Sequence, residues 1–149
     1  MADTTNPGRG VGLRNVGSYQ ISGHPFITGN LDMGTAGSEY KVEFPYVAKS
    51  VTVIASGAFG SSATENSIKV HFNSNDPDND AGSTNVLAYG HYITLDSEED
   101  SMTFDVKCKE IYITNVTANA QWQIFASLTG IPTGSMYALT GSGLTDADI

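Results

Sequence analysis

The chain has 149 residues, of which 15% are charged and 40% are hydrophobic, and its 16 acidic and seven basic residues give a net charge of −9. One domain of this length buries on the order of 70% of the surface of its unfolded chain, so a single core is expected. The acidic excess repels phosphate backbones and argues against a nucleic-acid partner. The single cysteine, Cys108, excludes an internal disulfide and a zinc site built from several cysteines.

The first 38 residues contain a glycine every few positions and sustain neither a strand period nor a helix period. This pattern predicts an irregular N-terminal arm over residues 1–38. The opening segment Met1–Thr5 lacks the basic and apolar parts of a secretory signal, and no run of about 18 apolar residues occurs. We therefore expect a soluble protein that is made in the cytoplasm and does not enter a membrane.

From Glu39 onwards apolar and polar residues alternate, which predicts half-buried strands. Further β-rich stretches lie at residues 47–55, 68–72, 86–95, 102–113 and 122–128. Apolar residues stand at even positions in Met102, Phe104, Val106 and Cys108 and at odd positions in Ile111 and Ile113. This change of parity at Lys109–Glu110 predicts a bulge, a corner or a strand that crosses between sheets. Seven or so short strands predict an all-β, antiparallel β-sandwich over residues 39–130, of jelly-roll or immunoglobulin-like topology.

The segment after the last predicted strand contains glycines at positions 134, 141 and 143 and has no strand pattern. It predicts an extended C-terminal tail over residues 131–149. Both arms carry scattered apolar side chains, which become ordered only on a surface that receives them. The candidate partner-contact residues are Leu13, Val16, Tyr19, Ile21, Phe26, Met136, Tyr137, Leu139 and Leu144.

Two acidic turns are candidates for ion binding or catalysis. The alternating acids at residues 76–80 match the first half of an EF-hand loop, but Ala81 replaces the glycine and Leu87 replaces the bidentate glutamate. The acids at residues 96–100 have no predicted pocket that would raise one carboxyl pKa, as paired-carboxylate catalysis requires. We interpret both turns as solvated, with a cation at either one as the alternative.

The remaining candidate groups favour structural roles. The histidines His24, His71 and His91 lack metal-ligand spacing, and His71 falls on the polar face of its predicted strand, which favours a surface imidazole. Cys108 shares its face with apolar residues, which favours a core thiol. Trp122 and the seven tyrosines are the candidate platform of a sugar-binding surface, although aromatic residues also pack well in strands. Because no nucleophile motif, metal cluster or phosphate loop occurs, we expect no enzymatic activity, metal or cofactor.

Four phrases of the sequence carry a resemblance to a known class of proteins. FPYVAKSVTVIAS, IKVHF, GHYITLDSEEDSMTFDVKCKEIYITN and IPTGSMYALTGSGLTD, within residues 40–146, resemble small virion structural proteins of tailed bacteriophages. A single sandwich with flexible ends is similar to head decoration, or cement, proteins, which clamp the joints between major capsid subunits. The resemblance implies a non-enzymatic protein on the outer capsid surface, assembled as a trimer or dimer, with the major capsid protein as its partner.

The negative charge agrees with a position outside the shell, because packaged DNA would repel an acidic protein inside it. Two other functions stay open at this point. One is a structural component of the tail, collar or fibre base, and the other is a carbohydrate-binding module for host attachment.

Overall fold

The computed structural model describes residues 12–14, 16–20, 23–56, 66–75, 86–97 and 99–139. These residues form seven strands in one antiparallel sheet, with almost no helix, so the predicted all-β, antiparallel class is confirmed. The sandwich topology stays a prediction. The strands are β1 (His24–Asn30), β2 (Glu39–Ala55), β3 (Ile68–His71), β4 (Ile93–Leu95), β5 (Ser101–Phe104), β6 (Cys108–Asn115) and β7 (Trp122–Pro132). A short helix α1 (Gly17–Gln20) precedes β1, and a 3₁₀ turn (Thr133–Ser135) follows β7.

Strand β2 organises the sheet, whose order is β1-β7-β2-β6-β3-β4 with β5 also paired to β2. The first part of β2 pairs with β6, and its second part pairs with β7 on one side and β5 on the other. The register shifts between Glu43 and Ala48, around Pro45. Because proline has no N–H to donate, it interrupts the ladder where β2 changes partners.

The core lies where side chains from both parts of β2 meet. The Phe26 ring of β1 packs edge-on against Phe44, with centroids 5.4 Å apart, and Tyr40 lies 5.4 Å from Trp122 of β7. The fully buried large side chains are mainly branched aliphatic residues, which suit a pleated surface. They include Val47, Val51, Val53, Ile68, Val70, Ile111, Ile113, Trp122, Ile124 and Ile131.

The structure confirms the predicted irregularity near Lys109–Glu110. Strand β5 ends at Phe104 and β6 begins at Cys108, and the two strands pair with different parts of β2. Val106 in the connection is 37% exposed and Met102 of β5 is 39% exposed, so neither is buried with Phe104 and Cys108. The parity change itself lies inside β6, where Cys108 pairs with Ala48 and Glu110 pairs with Glu43, and the register with β2 shifts between these two pairs.

Two expectations about local structure were wrong. Residues 24–30 lie in the predicted irregular arm but form β1, which pairs with β7 along its whole length. The β7 edge supplies the backbone partners that decide this pairing, and the glycine-rich sequence carries little sign of them. In the β-rich stretch 86–95, only Ile93–Leu95 is a strand, and residues 86–90 form turns. The division into arm, domain and tail stays a prediction.

Candidate functional site

Both ends of the described chain meet at one corner of the sheet. Val47, Ile131 and Met136 form a second buried cluster, separate from the main core. The side chains packed against this cluster come from residues on either side of the sheet in sequence, namely Leu13, Tyr19 and Leu139. We call the surface formed by residues 12–14, 16–20 and 131–139 with Val47 the terminal corner.

Buried hydrogen bonds fix the base of the terminal corner. The Thr129 hydroxyl donates to the Val47 carbonyl at 2.7 Å and accepts from the Ile131 N–H at 3.1 Å. On the N-terminal side, the Tyr19 hydroxyl donates to the Leu13 carbonyl at 3.0 Å. These bonds satisfy backbone groups that the irregular chain would otherwise leave without partners, so the corner is ordered within a single copy of the protein.

Three lysines of the sheet region donate to the segments at the two ends. Lys107 Nζ lies 3.1 Å from the Leu13 carbonyl oxygen and 5.3 Å from the centre of the Tyr19 ring. Lys49 Nζ donates to the Tyr19 carbonyl, and Lys109 Nζ donates to the Met136 carbonyl, each at 3.4 Å. The two long bonds are weaker than the first. Together the lysines tie both segments to the body of the sheet.

An open polar cavity of about 490 Å³ lies beside the terminal corner. Its lining residues are Lys41, Glu43, Phe44, Lys109, Glu110, Thr133 and Gly134. Lys41 Nζ lies 2.8 Å from Glu43 Oε1 and 2.8 Å from Glu110 Oε2. Since Glu43 and Glu110 stand opposite each other across β2 and β6, Lys41 separates two like charges that would otherwise repel.

Three of the charges in this cavity, on Lys41, Glu43 and Glu110, pair with one another. Hydrogen bonds to Glu110 and then to Glu43 raise the pKa of Lys41, and the same contact lowers the pKa of Glu43. Tyr112 donates to Glu110 Oε1 at 3.1 Å, and burial followed by the Glu110 charge raises the pKa of Tyr112 to about 12. General acid–base catalysis uses a group that titrates near the working pH. The pKa shifts of Lys41, Glu43 and Tyr112 all lead away from neutral pH.

The terminal corner and its cavity are basic in a strongly acidic chain. Five of the chain's seven basic residues lie in the described part of this region. They are Arg14, Lys41, Lys49, Lys107 and Lys109. The described acids beside them are Glu43, Asp105 and Glu110. Sequence reasoning missed this cluster, although two lysines flanking Cys108 in a lysine-poor chain were a signal for it.

The predicted partner-contact residues have diverse positions. Met136 is 5% exposed inside the second cluster, and Leu13, Tyr19 and Leu139 pack around it. Phe26 lies away from the corner, against the main core. Val16 and Tyr137 are 67% and 36% exposed at the corner. Ile21 and Leu144 lie outside the described residues. Most of these apolar side chains thus pack on the chain's own core. The sequence had led us to expect that they pack on a neighbouring protein.

His71 is buried, so the predicted surface imidazole was wrong. Asn73 presents a carbonyl oxygen 2.7 Å from Nδ1, and the Thr114 hydroxyl lies 2.9 Å from Nε2. Because a carbonyl only accepts, Nδ1 carries the proton and Nε2 accepts from Thr114. Burial lowers the pKa of His71, opposed by the Asn73 bond and by Glu39, whose Oε2 lies 3.8 Å from Nε2. The turn after β3 covers this polar side of the sheet. The alternation of polar and apolar residues along β3 gives no sign of this cover.

Cys108 is 0% exposed, which confirms its core role, and burial followed by the Glu110 charge raises the pKa of its thiol to about 12. Trp122 is also 0% exposed, so it is not part of a sugar-binding surface.

In the second acidic turn Asp100 accepts from the backbone N–H of Asp96 and of Ser97, at 3.3 and 3.1 Å, and so caps the turn. The turn at residues 76–80 lies outside the described residues. Over the part of the chain that the structure describes, no three His, Cys, Asp or Glu side chains group as metal ligands would.

No protein-family model, curated protein or solved structure matches this chain significantly. Among the described residues, no helix has the length and apolar character needed to span a membrane.

Proposed function

We propose that the protein is a non-enzymatic virion structural protein, a decoration or cement protein that binds the outside of a phage head at the major capsid protein. The observation that supports this proposal is the convergence of both ends of the described chain at one basic corner. The predicted arms span residues 1–38 and 131–149, and their outer parts, residues 1–11 and 140–149, are joined in the chain to this corner. Two arms that begin at one place can engage one neighbour together.

The corner provides contacts of the kind that binding requires. Val16 and Tyr137 are exposed apolar groups, and the surrounding lysines suit an acidic patch on the partner. Because the described segments at both ends are already held by the second cluster, they need no further ordering when the protein binds. The remaining surface of this acidic chain repels other acidic surfaces, so the corner also orients the protein on the shell.

Charge reversal at the corner tests this proposal. Lys107→Glu should reduce occupancy on capsids stripped of the protein by about tenfold or more, since it removes one favourable charge and adds an unfavourable one. Lys69→Glu is the matched control, because it changes the net charge equally but lies on β3, where Lys69 contacts the Tyr92 ring at 4.3 Å. Equal occupancy for both variants would exclude the corner as the contact site.

A second measurement tests the cement role itself. Particles without the protein should disrupt at lower temperature and on dilution, while re-addition of the wild-type protein should restore them. Unchanged resistance of the particles to heat and dilution would contradict the cement role. Quantitative mass spectrometry of virions separates the tail, collar or fibre-base alternative, since hundreds of copies indicate the head and about a dozen indicate the tail. A glycan array tests the carbohydrate-binding alternative, which no longer has Trp122 as a platform.

A further inference from the structure

One side of the sheet presents a surface on which the described strand residues are all uncharged. It is the solvent side of β1, β7, β5 and the second part of β2. Cross-strand register places Ile27, Phe125, Thr52 and Thr103 side by side in a central row. One flanking row contains Pro25, Ser127 and Ser50, and the other contains Gly29, Gln123, Ile54 and Ser101. We call these eleven residues the neutral face.

Burial confirms that the neutral face points away from the core. The alternate residues Val51, Val53 and Ile124 are 0–1% exposed, whereas Ile27 and Phe125 of the neutral face are 76% and 45% exposed. Ile27 and Phe125 stand directly opposite each other across β1 and β7, so they form one apolar patch. In a chain with a net charge of −9, an uncharged sheet surface around such a patch is typical of an interface centre.

The outer edge of β1 in the described sheet is less suited than this face to receive a partner. Pro25 lies second in β1 and offers no N–H, so it weakens the addition of a further strand along that edge. Face-to-face packing of two sheets has no such obstacle, and it places side chains from both faces in a layer about 10 Å thick. The partner is therefore expected to cover the face.

Charge and shape at the borders of the face identify the partner as a second copy. Lys49 lies at one border beside Ser127, between the paired positions Ala48 and Ser50. The connection after β5 brings Asp105 and Lys107 to the same border, so the described charges there sum to +1. At the opposite border the Asp100 carbonyl accepts from the Ala55 N–H at 2.8 Å, and Asp32 follows the end of β1. Like-charged copies can approach through their uncharged faces, and each basic border then matches the acidic border of an antiparallel partner.

We propose that two copies of the chain pack their neutral faces together around a twofold axis that follows the central row. Ile27 then faces Ile27 of the second copy, and Phe125 faces Phe125. The two flanking rows exchange, so that small Ser127 meets Gln123 and small Ser50 meets Ile54. Apolar groups are covered, the polar ones find hydrogen-bonding partners, and no charge is buried.

The twofold axis predicts that two variants, each of which dimerises weakly alone, form dimers when they are mixed. Ile27→Glu and Ile27→Lys each place two like charges against each other at the centre, so each variant alone should dimerise about 100-fold more weakly than wild type. An equimolar mixture of the two should restore dimers, because opposite charges then meet. Val116→Glu is the control, since Val116 is 44% exposed but lies after β6, outside the face. It should dimerise as wild type does.

Sedimentation and light scattering on the purified chain, with circular dichroism to confirm folding, provide the readout. A wild-type chain that stays monomeric at high concentration overturns the proposal, as does a mixture that fails to restore dimers. If Ile27→Glu loses capsid binding while wild type is monomeric, the neutral face contacts the shell and the second copy is excluded. Because free protein is measured, the result does not depend on the proposed capsid role.

Discussion

The hydroxyl of Thr129 is expected to stabilise the terminal corner more than any exposed threonine stabilises its strand. Thr129 is 2% exposed, and its Oγ1 serves both the Val47 carbonyl and the Ile131 N–H. Thr129→Val keeps the shape and strand preference of the side chain but leaves two buried backbone groups without this partner. Each such group costs about 1–3 kcal/mol, and the added methyl recovers about 1 kcal/mol, so we expect a loss of about 1–5 kcal/mol.

Urea unfolding measures this loss, with the fluorescence of the single, fully buried Trp122 as the probe. Thr94→Val in β4 is the matched control, because Thr94 is exposed and its substitution should change stability by less than about 0.5 kcal/mol. If the two variants unfold at the same urea concentration with the same slope, the buried hydroxyl contributes nothing and the account of the corner is refuted. A selective loss should also increase proteolysis near residue 139.

Two further predictions concern buried titratable groups. Burial lowers the pKa of His71 below its ordinary value of 6.5, so on acidification the unfolded chain binds a proton before the folded chain does. The free energy of unfolding should keep its full value above pH 6.5 and fall below it, by up to about 1.4 kcal/mol per pH unit. The variant His71→Gln should lose this slope, whereas His24→Gln should keep it. Equal slopes in the wild type and both variants would contradict the assignment to His71. Because burial and Glu110 raise the pKa of Cys108 to about 12, the thiol should resist iodoacetamide in the native protein and react fully in urea, and rapid native labelling would show that it is accessible.

Local patterns in the sequence determined the fold class and several core positions. The alternation from Glu39 onwards reflects a strand with one face in the core, and this period survives in any tertiary arrangement that buries that face. Cys108 was assigned to the core for the same reason, and the change of parity at Lys109–Glu110 located the register shift between β2 and β6. Each of these inferences depends only on the order of residues that are close in the sequence.

Tertiary structure decided which surfaces meet. Strand β1 exists because the edge of β7 satisfies its backbone, and His71 is buried because the turn after β3 covers a face that alternates as if it were exposed. The terminal corner joins Leu13 to Met136, and the neutral face joins Ile27 to Phe125, across sequence separations that carry no periodic signal. Burial, charge balance and hydrogen-bond partners depend on such long-range contacts, so composition and spacing alone could not predict either surface.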